Sequence, residues 1–391
     1  MMYGNINSSE SNPKPLSAGP MNSMPAFKLL DPARFQGEVG GKPVALYTLR
    51  NAQGMVVGIT NYGARIEQIV VPDRHDRLDD VVLGYDSLEG VLGGASSMGA
   101  FVGRYAGRIE NARFTLGDRE YLLGANNGPH CLHGGLRGSR FRVFDAVQRN
   151  DASVEMRYVF ADGEEGFPGT LALRLMYSVT EANELVLDYE AMALDKPSVA
   201  SFTTHAFFNL NGEASDSALG HEVMICADRY FEMTPDLIAT GKLLPVTGTP
   251  MDFRQSAVLN ARICGLTPGA DATLSAKEWG YGYDSCYLVN RFAAGALALC
   301  ARVSAPESGL VMEVWSTEPT LQFYTGLLPQ EPLPGGQGKS GRAYCQQQSL
   351  CFEPQGYPNA PNRPEFPSAV YQPGQSRHGR TLYRFSTLTD L

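Results

Sequence analysis

The sequence has no long hydrophobic run and no basic stripe. No apolar stretch approaches the roughly 18 residues that a membrane-spanning helix needs, and residues 1–30 contain no continuous apolar segment typical of a signal peptide. No Lys/Arg-rich segment offsets the net charge of −9, which disfavours contact with a phosphate backbone. We therefore expect neither a membrane nor a nucleic acid as a partner.

Paired cysteine motifs are also missing. The seven cysteines are odd in number and scattered, and no two of them form a C-x-x-C pair. This usage fits reduced thiols in a protein core better than a disulfide framework or a zinc site. We expect a reducing compartment and a cytoplasmic protein.

No stretch of 12 or more residues has the apolar spacing of an amphipathic helix; the dominant period is two instead. Apolar residues alternate along 171–179 and 185–191, which predicts a long antiparallel hairpin. A second hairpin is predicted over 114–123, and 153–160 and 296–303 alternate in the same way. The sequence therefore predicts an all-β fold.

Turn residues are spread evenly over the chain. The 42 glycines and 25 prolines mark no internal domain boundary, so we predict one large β-sandwich over 37–391. Residues 1–36 are predicted to be a flexible tail. Two strand-poor stretches, 254–280 and 328–343, are predicted to be surface loops.

Two motifs place a titratable group among apolar neighbours. In "SFTTHAFFNL", His205 shares a face with Thr203 and Phe207, which is typical of a pocket, although a lone core histidine is the simpler alternative. In "CFEPQGY", Glu353 lies between Phe352 and Pro354. Apolar surroundings raise the pKa of a carboxyl group toward neutrality, where it can act as a base. The alternative is an exposed glutamate at a strand end.

Other polar residues suit a ligand rich in hydroxyl groups. Asp284 in "GYGYDSCYLV" accepts hydrogen bonds, and Gln322 in "TLQFYTG" both donates and accepts them. Arg104 and Arg108 lie in the glycine-punctuated "GRYAGRIENARF". Each of these side chains could instead bond the backbone or form surface ion pairs, but together with the aromatic residues they indicate a sugar.

The segment "HCLHGG" contains His130 and His133. In an extended strand this spacing points the two rings to opposite faces, so we expect the two histidines to have different roles. A metal site built on them lacks an identifiable third ligand, and no G-x-S-x-G supports a serine triad.

Eight segments stand in a characteristic order along the chain. They are "TNYGARIEQIVVPDR", "DVVLGYDSLEGV", "GRYAGRIENARFTLGDREYLL", "NNGPHCLHGG", "THAFFNL", "GYDSCYLV", "LQFYTG" and "CFEPQGYPNAPNRPEFPSAVYQPG". With these segments in this order, the chain resembles the aldose 1-epimerase (galactose mutarotase) family over about residues 37–391. The resemblance implies a β-supersandwich that interconverts the α and β anomers of a free aldose without cofactor or metal. We expect a monomer or homodimer.

Site roles follow from the same resemblance. It implies that Glu353 is the catalytic base, that His205 is the general acid and that His133 contacts the ring oxygen. A carboxylate and an imidazolium with pKa values near the working pH would together open the ring. His130 has no implied role. The implied sugar-binding residues are Arg108, Asp284 and Gln322.

One departure and two alternatives remain. The family usually has asparagine where this chain has Gly107, which removes a sugar contact. A related hexose-6-phosphate epimerase would need a basic cluster, for which Arg137, Arg140 and Arg142 are candidates. A non-catalytic sugar-binding protein would not need both Glu353 and a histidine acid.

Overall fold

The computed structural model describes residues 28–94, 97–263, 282–326 and 338–388. In these ranges strands dominate, and the α-helices are Leu88–Gly93 and Leu259–Ile263. Neither of these helices has the length and apolar character needed to cross a membrane. Short 3-10 turns are Pro32–Phe35, Glu110–Ala112, Ser139–Phe141, Glu164–Gly166, Lys339–Gly341 and Ala360–Asn362.

The largest sheet has nine antiparallel strands. The predicted long hairpin lies within it, with Leu171 opposite Ala193 and Val179 opposite Leu185. Alternate side chains of its first strand are buried, as the period of two predicts. In spatial order the strands are Asp145–Asn150, Ser153–Phe160, Leu171–Val179, Glu184–Ala193, Ser376–Thr387, Leu310–Ser316, Ala298–Ser304, Glu222–Ile225 and Ala257–Val258.

Two smaller antiparallel sheets complete the main framework. A four-stranded sheet contains Leu46–Arg50, Val56–Thr60, Arg65–Pro72 and Leu78–Asp80. A five-stranded sheet contains, in spatial order, Ala239–Pro245, Arg229–Met233, Asp284–Leu288, Thr320–Tyr324 and Cys351–Gln355.

The nine-stranded and five-stranded sheets pack on one continuous hydrophobic core. Phe323 and Phe352 of the smaller sheet stack with ring centroids 5.2 Å apart, and both belong to the same core as Val314 of the larger sheet. The hydroxyl of Tyr383 in the larger sheet donates to the backbone oxygen of Phe352 at 3.2 Å. The predicted all-β sandwich is confirmed.

Other strands of the described residues form two-stranded antiparallel sheets. One of them is the predicted second hairpin, in which Phe114 pairs with Tyr121. The pairs are Gly37–Val39 with Lys42–Val44, Arg113–Leu116 with Arg119–Leu122, Arg108–Ile109 with Cys131–Leu132, Ser198–Val199 with Val370–Tyr371, Phe101–Val102 with Thr203–Thr204, and Val82–Leu83 with Phe207–Phe208.

The end of the predicted tail belongs to the folded unit. Phe35 is fully buried, and the Leu30 N–H donates to Gln68 Oε1 at 3.1 Å. These contacts correct the expected boundary at residue 36, because an apolar ring and a backbone donor there find partners in the sheet. The rest of that tail, 1–27, lies outside the described residues.

Both predicted surface loops are anchored where they are described. The first contains a short strand and a helix with buried Leu259, and the remainder, 264–280, lies outside the described residues. In the second, Lys339 is buried and its Nζ donates to Asp80 Oδ2 at 2.6 Å, while 328–337 lies outside the described residues. The buried apolar and charged groups explain why these parts are not plain surface loops.

Candidate active site

A cavity of about 370 Å³ opens on the outer face of the five-stranded sheet. The structure brings every residue that the resemblance implied for catalysis or sugar binding to this one cavity. These residues are Arg108, His133, His205, Asp284, Gln322 and Glu353. Arg104 lies elsewhere: it is buried, and its Nη1 donates to the backbone oxygens of Pro168 and Gly169.

Strand alternation places three of these side chains. Gln322 lies opposite Glu353 in the sheet, and Asp284 begins the adjoining strand. Their neighbours Phe323 and Phe352 point into the core, so the polar side chains face outward. Gln322 Nε2 donates to Asp284 Oδ1 at 2.5 Å, which fixes the carboxylate beside the amide.

His205 lies in the gap between two short strands, Thr203–Thr204 and Phe207–Phe208. Its ring stacks on Phe207 with centroids 5.0 Å apart and an interplanar angle of 9°. Its Nε2 is 3.6 Å from Glu353 Oε1, and both side chains are buried. An imidazole and a carboxyl group therefore face the same small volume.

His133 is held by the backbone of Gly107. The His133 N–H donates to the Gly107 oxygen at 3.0 Å, and the Gly107 N–H donates to His133 Nδ1 at 3.2 Å. Nδ1 is therefore the acceptor, and in the neutral ring the proton is on Nε2. The His133 and His205 rings lie 5.4 Å apart.

The two histidines of "HCLHGG" are separated as the sequence predicts. His130 is buried away from the cavity and accepts a hydrogen bond at Nδ1 from the Asn111 N–H at 3.1 Å. Asn126 braces the segment between them, since its Oδ1 accepts from the Leu132 N–H at 2.7 Å. Only His133 is in reach of a ligand in the cavity.

Burial controls the protonation states of the cavity. It raises the pKa of Glu353 well above its usual value; the charge of Asp284 adds to this effect, and Arg108 opposes it. Burial, together with Arg140, lowers the pKa of His205 to about 3. Burial therefore favours the protonated carboxyl group of Glu353 and the neutral imidazole of His205.

The imidazolium expected from the sequence is thus disfavoured. Burial also lowers the pKa of His133 well below its usual value, and His205, Arg140 and Arg108 lower it further. The raised pKa of Glu353 agrees with the expectation, whereas the histidine pKa values do not lie near neutrality. The His205 ring is buried and the His133 ring is partly buried, and guanidinium groups nearby penalise a further positive charge.

The same three groups could offer ligand atoms to a metal ion. One ligand atom each from His133, His205 and Glu353 lie within 4.8 Å of one another. This cluster differs from the pair considered in "HCLHGG", because His130 does not belong to it. The guanidinium groups of Arg108 and Arg140 line the same cavity and oppose a cation there.

A sequence model of the family described as aldose 1-epimerase matches residues 45–384. The chain belongs to the aldose 1-epimerase family. The predicted resemblance is confirmed over nearly the whole described chain.

Similar proteins of this aldose 1-epimerase family span the chain almost end to end. Galactose mutarotase of Mus musculus is 37% identical over 89% of this chain and 95% of its own length. Aldose 1-epimerase of Escherichia coli K12 is 33% identical over 88% of this chain and 96% of its own length. The solved structure of a GalM/aldose epimerase homologue from C. elegans is 26% identical, with a TM-score of 0.79 over 88% of this chain and 100% of its own.

Gly107 is where this aldose 1-epimerase departs from the expected family pattern. Its φ of +77° lies in the left-handed region that glycine and asparagine favour. Its backbone holds His133, as described above, so the side-chain contact of an asparagine is absent while the backbone contact is present. A Cβ at this position would have Gln355 Nε2 at 3.6 Å as its nearest neighbour, which leaves open space in the cavity.

Tyr324 and Gln355 are among the cavity residues that the sequence reasoning missed, and Arg140 was named there only as part of a basic cluster for a phosphate. Tyr324 and Gln355 line the cavity two positions beyond Gln322 and Glu353, so strict alternation would have found both. Arg140 reaches the cavity from the turn Ser139–Phe141, where no periodic pattern applies.

The predicted basic cluster for a sugar phosphate is not assembled around Arg140. Arg137 is exposed and outside the cavity. Arg142 pairs with Glu164 at 2.9 Å. Only one of the three arginines lines the cavity.

Proposed function

We propose that the protein interconverts the α and β anomers of free aldoses by acid–base opening and closing of the sugar ring. The observation that carries the proposal is the pairing of Glu353 with His205 in one enclosed cavity, 3.6 Å apart. The galactose mutarotases and aldose 1-epimerases that match most of the chain support the same reaction.

Ring opening transfers two protons. The anomeric hydroxyl loses its proton to Glu353, the bond between C1 and the ring oxygen breaks, C1 becomes a carbonyl carbon, and the ring oxygen takes a proton from His205. Rotation about the C1–C2 bond presents the other carbonyl face, and closure reverses the two proton transfers. No cofactor and no metal ion enters these steps.

The enclosed pair needs one transferable proton. Burial favours Glu353 as the holder of this proton, because it opposes both a carboxylate and an imidazolium. Transfer to His205 creates the base and the acid together and leaves the net charge of the pair unchanged. Neutral His133 presents its Nε2–H as a hydrogen-bond donor to the ring oxygen.

The remaining cavity groups hold the sugar. Asp284 and Gln322 form one hydrogen-bonded unit that accepts from and donates to adjacent hydroxyls. Arg108 is oriented by Asn127, whose Oδ1 accepts from its Nε at 2.9 Å. We further propose a cytoplasmic monomer or homodimer; the six described cysteines are all free, which fits a reducing compartment.

Polarimetry on freshly dissolved α-D-glucose and α-D-galactose tests the function. The protein should accelerate the approach to anomeric equilibrium, and Glu353→Gln should lower kcat by roughly 100-fold or more with little change in KM, because the amide keeps the shape but loses the basicity. Glu307→Gln, at an exposed glutamate outside the cavity, is the control.

Two results would contradict the proposal. Near-normal turnover by Glu353→Gln would show that another group is the base. Binding of sugars without any acceleration by the wild-type protein would favour a non-catalytic sugar-binding protein.

A further inference from the structure

Arg140 lines the cavity beside the two histidines but has no part in the proposed proton transfers. Its Nη1 donates to Ser97 Oγ at 2.9 Å, and its guanidinium carbon lies 4.8 Å from the centre of the Phe141 ring. The side chain is therefore held in place at the cavity wall.

Arg140 forms no ion pair in the described part of the chain, and its acidic neighbour, Glu165, acts on it only from beyond ion-pair distance. No carboxylate oxygen there lies within 4.0 Å of its nitrogens, and its Nε is buried without an acceptor. Burial and Arg65 lower its pKa to about 10, so the group is still charged near neutral pH. A desolvated cation without a partner is costly, and an anionic group on a ligand would offset that cost.

A second guanidinium lies directly behind this wall. Arg65 is fully buried, and its nitrogens donate to the backbone oxygens of Met98 at 2.6 Å and Arg140 at 3.2 Å. Its acidic neighbour is Glu67, whose pKa burial raises to about 7, so part of that countercharge is lost near neutrality. The wall beneath Arg140 is therefore electropositive.

The position of Arg140 relative to a bound sugar rests on the proposed function. In that function His133 and His205 face the ring oxygen, and the charge of Arg140 acts on both rings. In a hexopyranose, C5 is bonded to the ring oxygen and carries C6. The ring oxygen is also bonded to C1, but the C1 hydroxyl faces Glu353 in the proposed function, which leaves the C6 substituent for Arg140.

We propose that the cavity accepts hexuronic acids, with the C6 carboxylate bonded to the guanidinium of Arg140. A single guanidinium edge matches a planar carboxylate in a bidentate pair. A phosphate group would lack further cationic partners from this cluster, because Arg137 is outside the cavity and Arg142 is paired with Glu164. Arg140 is thus a specificity-determining residue for the substituent at C6.

The test compares each uronate with its parent hexose. Anomer exchange of D-glucuronate, D-galacturonate, D-glucose and D-galactose is measured by NMR for the wild type, Arg140→Gln and Arg137→Gln. We expect the wild type to turn over at least one uronate as efficiently as its parent hexose. Arg140→Gln should lower the ratio of uronate to hexose kcat/KM by roughly 10- to 100-fold, the range for a lost hydrogen bond to a charged group.

The control and the contrary outcomes separate this inference from the proposed function. Arg137→Gln should leave the ratio unchanged. A ratio that Arg140→Gln does not alter would overturn the inference while the hexose activity stands. Exchange of glucose 6-phosphate, but of no uronate, that depends on Arg140 would overturn the choice of a carboxylate.

A binding measurement covers the cases in which turnover is absent or a variant folds poorly. Uronate should raise the Tm of the wild type at least as much as its parent hexose does. Arg140→Gln should lose the rise caused by the uronate but not the rise caused by the hexose, and Arg140→Lys should keep part of the uronate effect because it keeps the charge. A uronate-induced rise that Arg140→Gln leaves unchanged would overturn the inference even if no sugar is turned over.

Discussion

At the scale of single residues, the two histidines of "HCLHGG" give the sharpest contrast. His133 is bonded to the Gly107 backbone and faces the cavity, whereas His130 is buried behind it. His133→Ala should lower kcat/KM by roughly two to four powers of ten, the range for acid–base groups. His130→Ala should cost less than about one power of ten, because it removes packing and the hydrogen bond from the Asn111 N–H outside the cavity.

Polarimetry of both variants, with circular dichroism to verify folding, measures this difference. A folded His130→Ala as inactive as His133→Ala would contradict the separation of their roles.

The buried imidazole of His205 should also make stability depend on pH. Its pKa is about 3 in the folded protein against an ordinary value of 6.5, so between these values the unfolded chain binds a proton that the folded chain does not. The free energy of unfolding therefore falls as pH drops below 6.5. His205→Gln should remove this pH-dependent loss. The free energy of unfolding of the variant, relative to that of the wild type, should therefore be higher at about pH 5 than at about pH 7.5.

Thermal unfolding of both proteins at the two pH values measures the effect, and exposed His378→Gln is the control. The idea fails if the difference in Tm between wild type and His205→Gln is the same at both pH values.

The sequence predicted which side chains line the cavity better than it predicted their protonation states. Glu353, Gln322 and Asp284 follow from alternation along single strands, and the resemblance marked the rest. The low pKa of His205 depends on enclosure and on Arg140, which is distant in sequence and reaches the cavity from an irregular turn. Such effects arise only after distant segments have packed together.

At the scale of elements, the loop after His133 depends on the close approach of the Gly134 backbone to the Gly103 backbone. Gly134 has φ +81°, and a Cβ there would lie 2.1 Å from the Gly103 oxygen. Gly128, earlier in the same segment, has φ +56° with open space around it. Alanine at Gly128 should cost roughly 1–2 kcal/mol, the price of a left-handed backbone.

Alanine at Gly134 should cost more and lower kcat by roughly 100-fold, because the loop must shift and carry His133 with it. Urea unfolding and polarimetry of the two variants test this. Equal losses of stability and kcat in the two variants would show that the positive φ of Gly134, and not its close contact with Gly103, causes the effect.

Long elements were predictable, and short ones were not. The hairpin of Leu171–Val179 and Glu184–Ala193 has enough alternating positions to be recognised from its own residues. Thr203–Thr204 and Phe207–Phe208 are two residues long and pair with Phe101–Val102 and Val82–Leu83. Their conformation is set by partners about a hundred residues away, which no local pattern encodes.

At the scale of the whole molecule, one hydrogen bond joins the two main sheets beneath the cavity. Tyr383 donates to the Phe352 oxygen, next to Glu353 in the chain. Tyr383→Phe should destabilise the protein by about 1–3 kcal/mol, because a buried carbonyl loses a donor. kcat should change little, since the side chain of Glu353 keeps its own surroundings.

Urea unfolding together with polarimetry separates the two effects. Unchanged stability in Tyr383→Phe would show that the bond contributes nothing net.

The five-stranded sheet also suggests how this scaffold can be altered. Along its strands, positions that face the cavity alternate with positions that build the core, so the two sets can be addressed separately. A library that varies Tyr324 and Gln355, which line the cavity, would explore new sugar preferences while each neighbouring core side chain stays as it is. A one-residue deletion in the same strands would exchange the two sets at once, sending carboxylates inward and aromatic rings outward. Substitution is therefore the productive route for redesign here, and length changes belong in the turns.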